Sequence, residues 1–357
     1  VTKGPGTIGG SRVIGVLHGC TLDIVPGTLW RVEADLAVAG IHLRDPAPTI
    51  LVGLERALGG GVKGLRHAGL LSGRLGETLL LSRPPGPIRA GAVLILGLGT
   101  TEAITADTVR RAAQAAAEQA TRMKVGHVAS ACGGEDGADA STLAMPHLWV
   151  AIAGIEAVLR ASTQPVRRWS FLSRPTDLER FVERFRIAFN RAIGDEPPTA
   201  EGGTGTPMAQ TDIIRILIVD DHPMLREGVR AVIDPQPDMD IVAEAESGEA
   251  AITLFERHRP DVVLMDLQMP GMGGVAAITA IRGAYPNARI VVLTTYSGDA
   301  QAMQALRAGA AGYLLKNALR KELLDTIRSV HAGGRHLTAE VATGIALHAM
   351  EDALSGA

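Results

Sequence analysis

Four short apolar runs in the last part of the sequence each stop on a reactive side chain. No other feature of the chain limits its fold as strongly. Ile216-Leu217-Ile218-Val219 stops at Asp220-Asp221, and Val262-Val263-Leu264-Met265 stops at Asp266. Ile290-Val291-Val292-Leu293 stops at Thr294-Thr295, and Tyr313-Leu314-Leu315 stops at Lys316. Apolar runs without polar alternation predict strands buried on both faces, as in parallel sheets. Arg259-Pro260-Asp261 and Pro270-Gly271 bound the second run. Such a strand is expected to aim Asp266 into a crevice at the carboxyl edge of the sheet. In an open parallel sheet all four ends share that edge, which then holds carboxylates, a hydroxyl and an ammonium.

Carboxylates crowded in this way repel one another unless a divalent cation joins them. Hard oxygen ligands suit Mg²⁺, which keeps several waters and takes one or two carboxylates plus phosphate oxygens. A carboxylate can act as a nucleophile toward phosphorus and form an acyl phosphate. Lys316 and a threonine would complement a phosphoryl group on Asp266.

Ile218-Val219-Asp220-Asp221-His222, Leu264-Met265-Asp266-Leu267-Gln268-Met269-Pro270, Leu293-Thr294-Thr295 and Gly312-Tyr313-Leu314-Leu315-Lys316 follow one another in order. Together they make residues from about 213 to 335 resemble a response-regulator receiver domain. The subclass that fits best usually carries a LuxR-type helix-turn-helix. The resemblance implies a (βα)5 flavodoxin-like fold and phosphorylation of Asp266 by a sensor histidine kinase. It implies Mg²⁺ on Asp220, Asp221, Asp266 and the backbone carbonyl of Gln268. It gives Lys316 the phosphoryl oxygens, Thr294 the switch hydroxyl, and Tyr313 the aromatic ring that turns inward. Thr294 is chosen over Thr295 because neighbouring strand residues face opposite ways and the family spacing selects Thr294. Asn317 stands where receivers commonly have proline after the lysine.

The rest of the chain is long enough for a second α/β domain, expected over 12–193. Strand candidates are Arg12–Leu17, Leu36–Gly40, Glu77–Leu81, Ala92–Leu96, Gly126–Ala129 and Val166–Leu172. Helices are expected over Leu51–Leu58, from an N-cap at Thr105 to about Met123, over Leu148–Leu159, and after Pro175-Thr176-Asp177. In the last of these, Phe181, Phe185 and Phe189 recur at four-residue steps and make one apolar face. Gly53–Gly61, Leu71–Thr78 and Leu94–Gly99, with the Ala-rich helix that follows, resemble the macro-like N-terminal domain of leucyl aminopeptidases. That resemblance implies a three-layer α/β fold but no peptidase activity, since the linker and receiver stand where the catalytic half would be. The loops Gly59-Gly60-Gly61 and Gly97-Leu98-Gly99 read as turns before they read as phosphate cradles.

Residues 194–212 are rich in Pro, Gly and Glu and read as a linker. Residues 336–357 read as a C-terminal helical extension. No recognition helix or basic cluster appears there, so DNA binding by these residues is not expected. The net charge of −3 gives no sign of a nucleic-acid or membrane surface. Two cysteines, Cys20 and Cys132, suit a reducing, cytoplasmic setting. His18, His42, His67, His127 and His147 lack ligand spacing. Arg167-Arg168 reads as a solvated step, and Trp149 and Trp169 as core anchors.

The expected function is phosphorelay signalling, with a receiver that switches a face for a homodimer partner or an output protein. Two alternatives stay open. One is a nucleotide-binding or enzymatic first domain gated by the receiver. The other is a transcription regulator without its DNA-binding domain, which the genomic sequence past Ala357 would decide.

Overall fold

The computed structural model describes residues 7–8, 10–29, 31–41, 55, 61–84, 88–100, 105–131, 145–163, 166–173, 175, 178–194, 213–295, 299–316 and 320–345. The helix expected over Leu51–Leu58, most of the Gly53–Gly61 segment, His42, Cys132, Asn317 and the linker beyond Gly194 lie outside them. The chain divides into two compact units, residues 1–200 and 201–357.

The first unit is a mixed sheet in the order β1-β2-β3-β8-β7-β4-β6-β5. Its strands are β1 (Thr7–Ile8), β2 (Ser11–Leu17), β3 (Cys20–Pro26), β4 (Leu36–Ile41), β5 (Thr78–Ser82), β6 (Ala92–Gly97), β7 (His127–Ala131) and β8 (Arg168–Ser173). β3, β8, β7, β4 and β6 run parallel to their neighbours in that series; β1, β2 and β5 supply the antiparallel pairs. Helices α1 (Gly61–His67), α2 (Ala106–Arg122), α3 (Met145–Ala161) and α4 (Leu178–Gly194) complete it. Thr105 caps α2 by accepting from the Thr108 amide at 3.2 Å. Phe181, Phe185 and Phe189 of α4 bury their shared face among Leu22, Ile24, Trp169 and Phe171 of the sheet. β4 and β6 are buried on both faces, as a three-layer α/β arrangement requires.

β3 was not among the expected strands, because Asp23 interrupts its apolar pattern. The Asp23 carboxylate is fully buried. Arg168 reaches it at 2.5 and 3.1 Å, and the Ser170 hydroxyl donates to it at 2.7 Å. Arg168 is therefore a structural counter-charge rather than the solvated residue expected. His127 meets the same Ser170 hydroxyl at 2.8 Å. Burial, followed by the nearby Arg168 charge, pulls its pKa below the ordinary histidine value. Trp169 is fully buried as a core anchor, while Trp149 is only partly buried, under the Arg191 guanidinium. Cys20 is a buried free thiol, pushed up to about 12 chiefly by burial.

The second unit is a parallel sheet in the order β14-β13-β12-β11-β9-β10. Its strands are β9 (Ile214–Val219), β10 (Met239–Ala245), β11 (Val262–Met265), β12 (Ile290–Thr294), β13 (Gly312–Leu315) and β14 (Arg335–Thr338). The helices between them are α5 (Pro223–Ile233), α6 (Gly248–His258), α7 (Gly274–Ala284), α8 (Asp299–Arg307) and α9 (Arg320–His331). Five strand–helix repeats with the first strand between the second and third give the flavodoxin-like arrangement.

The helical extension expected from residue 336 begins instead with a strand. Gly333, at φ +84°, ends α9, and Arg335–Thr338 then pairs with β13 as a sixth parallel strand. The strand was hidden because its inward residues include a histidine. His336 is buried, and its Nδ1 meets the Thr326 hydroxyl of α9 at 2.6 Å. That hydroxyl donates to the Glu322 carbonyl, so the imidazole N–H is the donor to Thr326. Burial drops the His336 pKa to about 3 and keeps the ring neutral. Residues 339–345 are helical, and 346–357 lie outside the described residues.

Candidate functional site

Strand register alone assembles the site. Val219 of β9 pairs with Met265 of β11, so the next residues, Asp220 and Asp266, emerge side by side. Thr294 of β12 pairs with Leu315 of β13, so Lys316 emerges one step beyond Thr294. The Lys316 amide donates to the Thr294 carbonyl at 2.6 Å, which fixes where its side chain starts.

The Lys316 ammonium lies 2.7 Å from Asp220 Oδ2 and 2.9 Å from Asp266 Oδ2. All three side chains are buried, at 2% exposure for each carboxylate and 8% for the lysine. Burial pushes the Asp266 carboxyl above its ordinary value, and the bond and charge of Lys316 only partly bring it back. Burial also works against the Lys316 ammonium, yet its bonds to Asp220 and Asp266 outweigh this and hold its pKa above the usual lysine value. One ammonium faces two buried carboxylates and the half-buried Asp221, which leaves excess negative charge in the pocket.

The loop after β11 is closed tightly. Gly274, the first residue of α7, packs where any Cβ would run into the Asp266 carbonyl oxygen and the Leu267 backbone. Gly274→Ala is therefore expected to lower stability by about 1–3 kcal/mol, as overpacking against backbone does. Urea denaturation followed by tyrosine absorbance checks this, since all three tyrosines lie beyond residue 200. An unchanged midpoint would contradict it.

Thr294 and Tyr313 are both fully buried, on adjacent strands. Thr295 is exposed. Gln268 is exposed, and its backbone amide hydrogen-bonds the Asp266 carboxylate. His222 was not among the expected site residues. It caps α5 from an extended conformation without a side-chain cap bond, and its amide donates to Asp220 at 2.9 Å. Its Nδ1 lies 2.8 Å from Asp221 Oδ1 and 3.3 Å from Asp220 Oδ1. The only sequence signal for it was an imidazole directly after two acids.

One ligand atom from each of Asp220, Asp221, His222 and Asp266 falls within 4.8 Å of every other. Atoms bound to one small divalent ion at about 2.1 Å can lie no more than about 4.2 Å apart. A slight contraction of the set fits such an ion, and the oxygen-rich donors suit magnesium.

Among the described histidines of the first unit, His18 meets Glu156 at 2.7 Å, and His67 meets the Lys63 carbonyl one helical turn back. His127 belongs to the buried Asp23 network. These three are not grouped as ligands. The His147 side chain lies outside the description. No helix among the described residues is long and apolar enough to cross a membrane.

Comparison with known proteins divides the chain in the same two places. Residues 46–161 match the family described as the N-terminal domain of the cytosol aminopeptidase family. Residues 216–328 match the family described as the response regulator receiver domain. An uncharacterized transcriptional regulatory protein of Bacillus subtilis, YxjL, is 46% identical over 122 residues, which is 34% of this chain and 56% of that protein. The response regulator UvrY of Escherichia coli is 37% identical over 139 residues, 39% of this chain and 64% of that protein. Among solved structures, a two-component response regulator of the LuxR family from Aurantimonas sp. SI85-9A1 is 40% identical. The match covers 39% of this chain and 99% of that one, with a TM-score of 0.37. The chain spans little more than half the length of the curated relatives it matches. The family match places a response regulator receiver domain at residues 216–328.

Proposed function

We propose that the chain is a cytoplasmic phosphorelay protein, and that its receiver takes a phosphoryl group from a sensor histidine kinase onto Asp266. The observation that carries this reading is the Lys316 ammonium held between two buried carboxylates, one of them at the end of the central strand β11. In the proposed reaction an Asp266 carboxylate oxygen attacks phosphorus in line. The P–N bond to the donor histidine breaks, and its electron pair returns to the imidazole. The product is an acyl phosphate on Asp266. Magnesium held by Asp220, Asp221, Asp266 and the Gln268 carbonyl would supply charge neutralisation at the phosphoryl oxygens.

In this reading Lys316 swings from Asp220 and Asp266 onto a phosphoryl oxygen without leaving the pocket. The Thr294 hydroxyl takes another oxygen in this reading, and Tyr313 packs behind it. Their rearrangement biases α8 and the adjoining face toward a homodimer partner or an output protein. The match to residues 46–161 concerns an N-terminal domain and supports a fold for that unit, not peptidase chemistry.

The test uses the full chain with acetyl phosphate. With Mg²⁺ present it is expected to take up about one phosphoryl group per chain, and with chelator almost none. Asp266→Asn is expected to take up none in either condition. Equal uptake by wild type and Asp266→Asn would overturn the assignment.

A further inference from the structure

We propose that a cleft at the amino edge of the second unit's sheet binds a purine nucleoside monophosphate, with the base stacked on the Arg259–Tyr285 pair and the phosphate taken by Arg289. The cleft lies between the loops that enter β11 and β12, at the opposite edge from Asp266. Its volume is about 330 Å³. Small-molecule sites run from about 300 to 1,000 Å³, so a mononucleotide is near the upper size it takes.

The stacking surface is already assembled. The buried Phe255 ring packs against Tyr285 with centroids 5.1 Å apart, and the Arg259 guanidinium lies 3.9 Å above the centre of the same tyrosine. Arg259 reaches that place from a left-handed backbone, at φ +47°, where a helix end ordinarily has glycine. A side chain held in this strained region points to a use for it. Its Nε donates to the Glu256 carbonyl at 3.1 Å, and the Arg259 carbonyl accepts from Arg215 at 3.1 Å. Its two terminal nitrogens make no hydrogen bond among the described residues, and the exposed outer face of the guanidinium offers a flat base a partner. The other wall is fixed too: the Ala288 amide closes a turn onto the Tyr285 carbonyl at 2.9 Å, and Arg282 bonds the Ala288 carbonyl at 3.0 Å. That turn leads to Arg289, whose half-buried guanidinium has no ion pair or hydrogen bond among the described residues. Asp261, the one acid lining the cleft, accepts from the Arg215 amide at 2.8 Å. Two arginines against one acid leave a positive balance, and a free guanidinium fork matches phosphate oxygens in pairs.

The test is calorimetric titration of the full chain with AMP, GMP, adenosine and inorganic phosphate, for wild type, Arg289→Ala and Arg259→Gly. Wild type is expected to bind AMP or GMP at one site per chain, and adenosine and phosphate each more weakly. Arg289→Ala should weaken the mononucleotide about ten-fold or more, the loss of a hydrogen bond to a charged group. It should leave adenosine unchanged, which a merely structural role for Arg289 would not do. Arg259→Gly should weaken both the mononucleotide and adenosine about five-fold or more, as loss of a stacking partner does. Glycine suits the left-handed turn, so that variant keeps its fold, which circular dichroism checks. Wild type that binds neither AMP nor GMP would overturn the inference, as would phosphate bound as tightly as AMP. Equal losses of AMP and adenosine in Arg289→Ala, or AMP binding unchanged in either variant, would also overturn it. The cleft does not use Asp266, so none of these results bears on phosphoryl uptake.

Discussion

Lys316→Met is expected to destabilise the second unit by about 3–5 kcal/mol, the range for removing one partner from a buried ion pair. The large value follows from geometry. The ammonium contacts both Asp220 and Asp266, and each carboxylate is almost wholly buried. Methionine fills the volume but leaves two buried like charges side by side. The deficit should depend on pH with a definite sign. The Asp266 pKa is already raised in the intact protein, with Lys316 as the principal counterweight. Without that counterweight the carboxyl rises further, so the folded variant binds a proton that the unfolded chain, near 3.9, does not. The deficit should therefore be largest at neutral pH and shrink as pH falls toward the unfolded carboxyl value. Saturating Mg²⁺ should also shrink it, because the ion binds more tightly once the ammonium is gone, and each ten-fold gain in affinity over wild type is worth about 1.4 kcal/mol. Denaturation followed by tyrosine absorbance measures all three effects. A deficit under about 1 kcal/mol at pH 7, a value typical of an exposed pair, would show that the lysine is not held between the acids.

Arg168→Met should have a comparable effect on the first unit, about 3–5 kcal/mol. Asp23 has no exposed surface and keeps only the Ser170 hydroxyl once the guanidinium is gone. The double variant Asp23→Leu/Arg168→Met should recover most of the loss, because replacing both members of a buried pair with apolar groups is close to neutral. Tryptophan fluorescence isolates this unit, since all three tryptophans lie before residue 200. A double variant as unstable as the single would mean that the pair supplies more than mutual neutralisation.

These two ion pairs show what the sequence made legible and what it hid. The receiver strands were readable because each is a short apolar run, and a parallel strand buried on both faces has no other pattern. Their reactive ends were readable for the same reason: each polar residue stands where an apolar run stops. β3 was hidden because a buried Asp23 looks like a loop residue until Arg168 is seen beside it, 145 positions away. β14 was hidden because His336 looks polar, and only its bond to Thr326 across the helix shows how it is accommodated. His222 was read only as the end of the motif that contains Asp220 and Asp221, not as a site residue. Its place near the carboxylates depends on Asp266, which is distant in sequence and reaches it only through strand pairing. The glycine segment around residue 60 carried much of the resemblance of the first unit, and most of it falls outside the described residues.

The central claim is that Asp266 is the group that carries phosphate. Borohydride reduction converts an aspartyl phosphate to homoserine and marks the residue permanently. The full chain, incubated with acetyl phosphate and Mg²⁺, reduced, digested and sequenced by mass spectrometry, should show homoserine at position 266. Asp220 and Asp221 should remain aspartate. Homoserine at either of those positions instead, or no homoserine in a chain that has incorporated phosphate, would contradict the account.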